Sequence, residues 1–140
     1  IFQEGKAEIN QYILSSQFNG EKFSFTGEFL YQKNVFGNFG PYYQKNSPIA
    51  QSWYLQADYR IKYNWKTYLR YDEYYLNKYD KYGDRYIFLV KPTHMGYSKD
   101  ITLGLRWDIN PSIMLRGEYH HVKGTAWLTT ADNPDRNETE

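Results

Sequence analysis

The run Tyr59-Arg60-Ile61-Lys62-Tyr63-Asn64 is echoed by Leu105-Arg106-Trp107-Asp108-Ile109-Asn110, an offset of 46 residues (106 − 60). At the same offset Leu69-Arg70-Tyr71-Asp72 matches Leu115-Arg116-Gly117-Glu118. Each copy alternates apolar or aromatic residues with charged ones, crosses a short polar segment, and alternates again. Alternation with period 2 sends successive side chains to opposite faces of an extended chain, so each copy reads as strand, tight turn, strand. One face of these strands carries Trp, Tyr and Leu, and the other carries Arg, Asp and Glu in mid-strand. In a water-soluble sheet the apolar face turns inward to a core. Mid-strand charges opposite such a face fit a structure that is apolar outside and wet inside, so the expectation is an all-β antiparallel transmembrane β-barrel.

Composition narrows the alternatives. A chain of 140 residues is one domain at most. It has no Cys, which excludes a disulfide framework and a thiolate metal site. A net charge of +1 lacks the basic excess of a phosphate-binding face, so no nucleic-acid partner is expected. Aromatic residues reach 20%, with 16 Tyr and 4 Trp. Mean hydropathy is nevertheless −0.83, and no run approaches the roughly 20 apolar residues of a spanning helix. Aromatic girdles around a polar lumen produce this combination, because only every second residue of a barrel strand meets lipid. A soluble glycan-binding β-domain has a similar composition and stays open as an alternative.

Six strands are expected at about 8–18, 22–33, 52–63, 67–78, 100–109 and 113–123, making hairpins over 8–33, 52–78 and 100–123. Asn19-Gly20, Asn64-Trp65-Lys66 and Asn110-Pro111-Ser112 supply short turns. Long loops occupy about 34–51, 79–99 and 124–140, beyond ordinary loop length. Short and long connections therefore alternate strictly, as they do between the two ends of an outer-membrane barrel. Six strands fall short of the roughly 8 of single-chain barrels, so further strands or further copies of the chain are expected to complete it. Two observations point the same way: Ile1-Phe2-Gln3-Glu4 lacks the features of a signal peptide, and 133–140 reads as a polar loop rather than a closing strand.

Parity assigns the lipid-facing side chains: Phe23, Phe25, Gly27, Phe29 and Tyr31, then Trp53, Leu55, Ala57, Tyr59, Ile61 and Tyr63. It continues with Ile101, Leu103, Leu105, Trp107 and Ile109, and with Ile113, Leu115, Gly117 and Tyr119. The first strand follows more weakly through Tyr12, Leu14, Ser16 and Phe18. The fourth opens with Leu69 and Tyr71 but then places Glu73 on the apolar side, and a bulge near Asp72-Glu73 would restore the pattern. Tyr63, Trp65 and Tyr68 cluster at one short turn, where an aromatic belt would sit.

The opposite parity carries Lys22, Glu28, Asp58, Arg60, Lys62, Arg70, Asp72, Asp100, Arg106, Asp108, Arg116 and Glu118, six basic and six acidic. The lumen-lining candidates are Asp58, Arg60, Lys62, Arg70, Asp72, Arg106, Asp108, Arg116, Glu118 and His120. A hairpin centred on Trp65 sets Arg60 against Arg70, and one centred on Pro111 sets Arg106 against Arg116. Such paired arginines would draw anions into a pore. A shift of one pair sets Arg60 against Asp72 and Arg106 against Glu118, and opposite charges favour that register. The charges then brace the wall as ion pairs instead.

No catalytic, cofactor or metal residues are expected. His120 and His121 are adjacent on a strand and point to opposite faces, so they cannot share a metal; His120 can pair with Glu118. No Ser, His and acid converge as a hydrolase triad, and the acidic residues alternate with Arg rather than pairing as in a glycosidase. Phe36, Gly37, Phe39, Gly40, Pro41, Tyr42 and Tyr43 form an aromatic loop. It suits stacking on sugars, folding into a pore, or packing on itself.

The stretch Lys99-Asp100-Ile101-Thr102-Leu103-Gly104-Leu105-Arg106-Trp107-Asp108, with Pro111-Ser112, Leu115-Arg116-Gly117-Glu118-Tyr119-His120 and Gly124-Thr125-Ala126-Trp127-Leu128, resembles the carboxyl-terminal hairpins of Gram-negative porin-like outer-membrane proteins. The resemblance covers 52–76 and 99–128 best. It implies a bacterial outer-membrane location, contact with lipid and lipopolysaccharide, passive passage of small solutes, and no cofactor. Family members end in a strand with a terminal aromatic residue, whereas this chain ends in Glu140. Two rival readings stand beside it: a closed structural or adhesive barrel acting through its long loops, and the soluble glycan-binding domain.

Overall fold

The computed structural model describes residues 5–37, 47–82, 93–126 and 138–139. It is all-β. Six long antiparallel strands form one sheet: β1 (Lys6–Asn19), β2 (Phe23–Gly37), β3 (Ile49–Lys62), β4 (Trp65–Tyr75), β5 (Tyr97–Asn110) and β6 (Ile113–Lys123). A two-residue β7 (Glu138–Thr139) pairs with Val122 and Lys123 at one end of β6. The sheet is not closed: β1 pairs only with β2, and the rest of β6 pairs only with β5. Part of the expected terminal loop at 124–140 is thus a short strand.

Strands follow the chain in simple order, each paired with its sequence neighbour. The connections at the short-turn end are as brief as expected, although the middle one is displaced. Lys62 faces Trp65, so Tyr63-Asn64 make the turn while Trp65 and Lys66 already belong to β4. Pro111-Ser112 make the equivalent turn between Asn110 and Ile113. A bulge precedes each, between Arg60 and Lys62 and between Asp108 and Asn110. Equivalent positions of these hairpins are therefore 48 residues apart (113 − 65). The sequence echo, at 46, is out of step by two. Two is even, so each side chain keeps its face while changing its neighbour.

One face of the sheet assembles the apolar set read from parity. Its central row runs Phe18, Phe25, Ala57, Leu69, Leu103, Tyr119, each directly opposite the next. The next row runs Ser16, Gly27, Leu55, Tyr71, Ile101, His121. The middle of this face is uncovered among the described residues: Leu55, Leu103 and Leu115 are 60%, 55% and 56% exposed. At its long-loop end Lys78 lies over the Tyr31 ring and Lys81 over Tyr75, which is buried. Aromatic rings mark both ends of the band. Towards the short turns, Trp65 stacks on Trp107 with centroids 5.1 Å apart and planes at 8°. Towards the long loops lies the row Tyr12, Tyr31, Gln51, Tyr75, Tyr97.

Glu73 breaks the band without the expected bulge. Pairing is continuous along β4 from Trp65 to Tyr75, so Glu73 stays on the apolar face. Its carboxylate is satisfied there: it accepts from Trp53 Nε1 at 3.1 Å, Tyr71 OH at 2.6 Å and Tyr75 OH at 2.7 Å, with Lys99 Nζ at 3.6 Å. Three donors, not a change of parity, resolve the misplaced charge. Glu73→Leu strands all three, and despite removing a charge from an apolar face it is expected to cost about 1–3 kcal/mol. A lowered urea midpoint checks this; a midpoint that rises would show the donors find other partners.

At the long-loop end the chain is tied by backbone bonds. Leu76 N donates to Gly96 O, Lys78 N to Ile49 O, and Thr125 N to His94 O. The 3₁₀ turn Thr93–Gly96 buries His94 and Met95. Gly124 sits at φ +80, where a Cβ would meet the Tyr97 carbonyl. Of the aromatic loop, Phe36 and Gly37 end β2. Phe39, Gly40, Pro41, Tyr42 and Tyr43 lie outside the described residues.

Candidate functional site

The second face of the same sheet gathers the charged residues into transverse rows. Nearest the short turns, Arg60 faces Lys66, Lys66 faces Arg106, and Arg106 faces Arg116. The next row is Ser24, Asp58, Tyr68, Gly104, Glu118. It is followed by Thr26, Gln56, Arg70, Thr102, His120, and then by Glu28, Tyr54, Asp72, Asp100, Val122. Charge is thus sorted along the strands, with a four-residue basic row at the short-turn end and three carboxylates two rows beyond its neighbour.

Neither expected register holds throughout. Arg106 does face Arg116, but Arg60 faces Lys66 and Arg70 faces Gln56, while Asp72 faces Tyr54. The predicted opposition of Arg60 to Asp72 and of Arg106 to Glu118 is corrected for a physical reason: the acids are neutralised along the strand, not across it. Residues i and i+2 share a face about 6.6 Å apart, within reach of Arg and a carboxylate. Arg70 Nε binds Asp72 Oδ2 at 3.1 Å, Arg106 Nη2 binds Asp108 Oδ1 at 2.7 Å, and Arg116 pairs with Glu118. Arg106 and Arg116 each have their own acid, so their direct opposition costs little.

Tyr68 is the centre of the site, and parity explains why it does not join an aromatic belt: it alternates with Arg70 and Asp72. It is 7% exposed. Its ring lies across Gly104 on β5, where a Cβ would overlap the phenol, and its hydroxyl thereby reaches β6. There Tyr68 OH accepts from Arg116 Nη2 at 2.6 Å and Nε at 3.0 Å, and donates to Glu118 Oε1. His120 continues the network, with Nδ1 2.7 Å from Asp100 Oδ2 and Nε2 3.5 Å from Glu118 Oε2. The expected His120–Glu118 contact exists, and Asp100 is the closer partner. Thr102 Oγ1 donates to Asp100 Oδ2 at 3.1 Å. The Arg70 guanidinium on β4 lies 4.1 Å from the centroid of Tyr54 on β3, where Gln56 Nε2 also reaches both Asp58 oxygens at 3.1 Å.

Nine of the ten lining candidates, Asp58, Arg60, Arg70, Asp72, Arg106, Asp108, Arg116, Glu118 and His120, share this face. Lys62 does not join the row, because the bulge after Arg60 registers it against Trp65 of the apolar face. Lys66, Tyr68 and Gly104 belong to the face and were missed; placing the turn at Tyr63-Asn64 brings Lys66 in. Among the described residues no three His, Asp or Glu side chains are grouped to hold a metal ion. The arrangement offers fixed charges, hydrogen-bond donors and one Tyr–Arg–Glu–His–Asp network across three strands. Thr102 Oγ1 also lies 3.1 Å from His120 Nδ1, which shares Asp100 with it. Compared with known proteins, the chain matches no family model, no curated protein and no solved structure.

Proposed function

We propose that this chain is a section of an outer-membrane β-barrel of the porin-like kind, with its apolar face against lipid and its charged face lining a passage for small solutes. The observation that carries the reading is the exposed middle of the apolar face, with aromatic rings at each end of it. From Trp65 to Tyr75 is ten residue steps (75 − 65) along β4, about 33 Å of strand. Tilted by the usual ~40°, that spans about 25 Å, the height of the apolar band on outer-membrane barrels. The open edges of β1 and β6 require more strands, from further chain or further copies. Lipid and lipopolysaccharide are the partners of the outer face, and small solutes those of the inner one.

A second reading keeps the barrel and closes the lumen. It draws on the Tyr68 network and the along-strand ion pairs, which fill and neutralise the charged face. Planar-bilayer conductance of the barrel that contains this chain separates the two. The channel gives stable open steps, and Arg60→Ala/Arg106→Ala shifts ion selectivity towards cations, because two positive charges go and Asp108 loses its partner. A folded, inserted barrel without conductance supports the closed one. A chain that stays folded and monodisperse without detergent supports the soluble domain and removes both.

A further inference from the structure

We infer that the groove between the Tyr63-Asn64 and Pro111-Ser112 turns binds a phosphate monoester group. It has a volume of about 790 Å³ and is lined by Arg60, Lys66, Arg106, Asp108, Asn64 and Asn110. Arg60, Lys66 and Arg106 stand in direct register across β3, β4 and β5, so three cations are held side by side on one face. Like charges so placed repel one another, and such a row is maintained at a cost unless an anion sits on it. Arg106 is committed to Asp108, with Nε at 2.8 Å and Nη2 at 2.7 Å. Arg60 and Lys66 differ from every other cation in the rows of this face: among the described residues neither has an ion-pair partner.

Three cations and one carboxylate leave the groove at +2, the complement of a phosphate monoester dianion near neutral pH. Lys66 supplies a mobile point charge and Arg60 a planar fork, the two modes by which proteins hold phosphate oxygens. Asn110 Oδ1 accepts from Ser112 N at 2.9 Å, which fixes the side chain and leaves its amide hydrogens to donate. The groove exceeds the volume of inorganic phosphate, so it admits the group that the phosphate carries. The inference depends only on the registers of β3 to β5, not on whether the opposite face meets lipid.

The test is calorimetric titration of the full protein that contains this chain, in water or a maltoside detergent according to which keeps it monodisperse, with inorganic phosphate, glucose 6-phosphate and dihexanoyl phosphatidic acid. Saturable binding in the millimolar range or tighter is expected, with at least a tenfold loss in Arg60→Gln/Lys66→Gln, since each charge-assisted bond removed is worth about that factor. Lys6→Gln/Lys33→Gln, which removes the same charge from the long-loop end, is expected to bind as the parent does. Strand circular dichroism confirms that both variants fold. Tighter binding of the sugar phosphate assigns a free solute as the source, and tighter binding of phosphatidic acid assigns a lipid headgroup. Absence of saturation, or equal weakening in the two double variants, overturns the site.

Discussion

Leu103→Arg is expected to abolish insertion of this sheet into lipid bilayers. Leu103 lies in the central row of the apolar face between Leu69 and Tyr119 and is 55% exposed. A guanidinium at the bilayer midplane of a barrel wall costs about 2–4 kcal/mol, a shift of roughly 30- to 900-fold in the insertion equilibrium. Tyr63→Arg, at a turn residue that is 97% exposed, is the matched control and is expected to insert normally. The readout is the protease-protected fraction in liposomes. The experiment is diagnostic because a water-facing Leu103 predicts the reverse: a new surface arginine would be neutral, and a Leu103→Arg chain that inserts as the parent does would refute the lipid-facing assignment.

The second large effect is expected inside the charged face. Gly104→Ala places a methyl group where the Tyr68 ring lies. The ring cannot swing aside freely, because its hydroxyl is held by Arg116 and Glu118 on the next strand. Overpacking of this kind costs about 1–3 kcal/mol, and each hydrogen bond lost with it about 1 more, so a total near 2–4 kcal/mol is expected. Urea unfolding of the parent and variant measures it. Tyr68→Ala in the Gly104→Ala background is expected to recover part of the loss, giving a coupling above ~1 kcal/mol in the double-mutant cycle. Strict additivity would show that ring and glycine do not constrain each other.

Alternation alone revealed the faces. Leu55, Leu69, Leu103 and Tyr119 were assignable from their neighbours two residues away, because parity survives any even error in register. The pairings were not legible, and the residues show why. Cross-strand charge pairs contribute only about 0.2–1 kcal/mol, so a preference for Arg60 against Asp72 carries little weight against a turn at Tyr63-Asn64 and a Tyr68 ring laid on Gly104. The echo misled in the same way, since aligned arginines at 60 and 106 occupy positions two residues apart in their hairpins. Parity already sets Tyr71 and Tyr75 beside Glu73, but their hydroxyls reaching its carboxylate, and Trp53 facing it from β3, become visible only in the folded sheet. Tyr68 was legible in principle: its parity with Arg70 and Asp72 outranks its nearness to Trp65. Lys66 is hidden when the turn is extended over Trp65 and Lys66, two residues past its end at Asn64.

The plain strand order has a kinetic meaning. Every long strand is hydrogen-bonded to the one before it in the chain, so most native pairings close over the span of a single hairpin or a single loop. Such a topology keeps the sequence separation of contacts short for an all-β protein, and loop-closure entropy, which slows sandwiches and parallel sheets, is met in small instalments. The sheet can therefore grow by adding one strand at a time to an existing margin. The hairpins around Tyr63-Asn64 and Pro111-Ser112 close over two-residue turns, so their strands meet at the smallest entropic cost in the sheet.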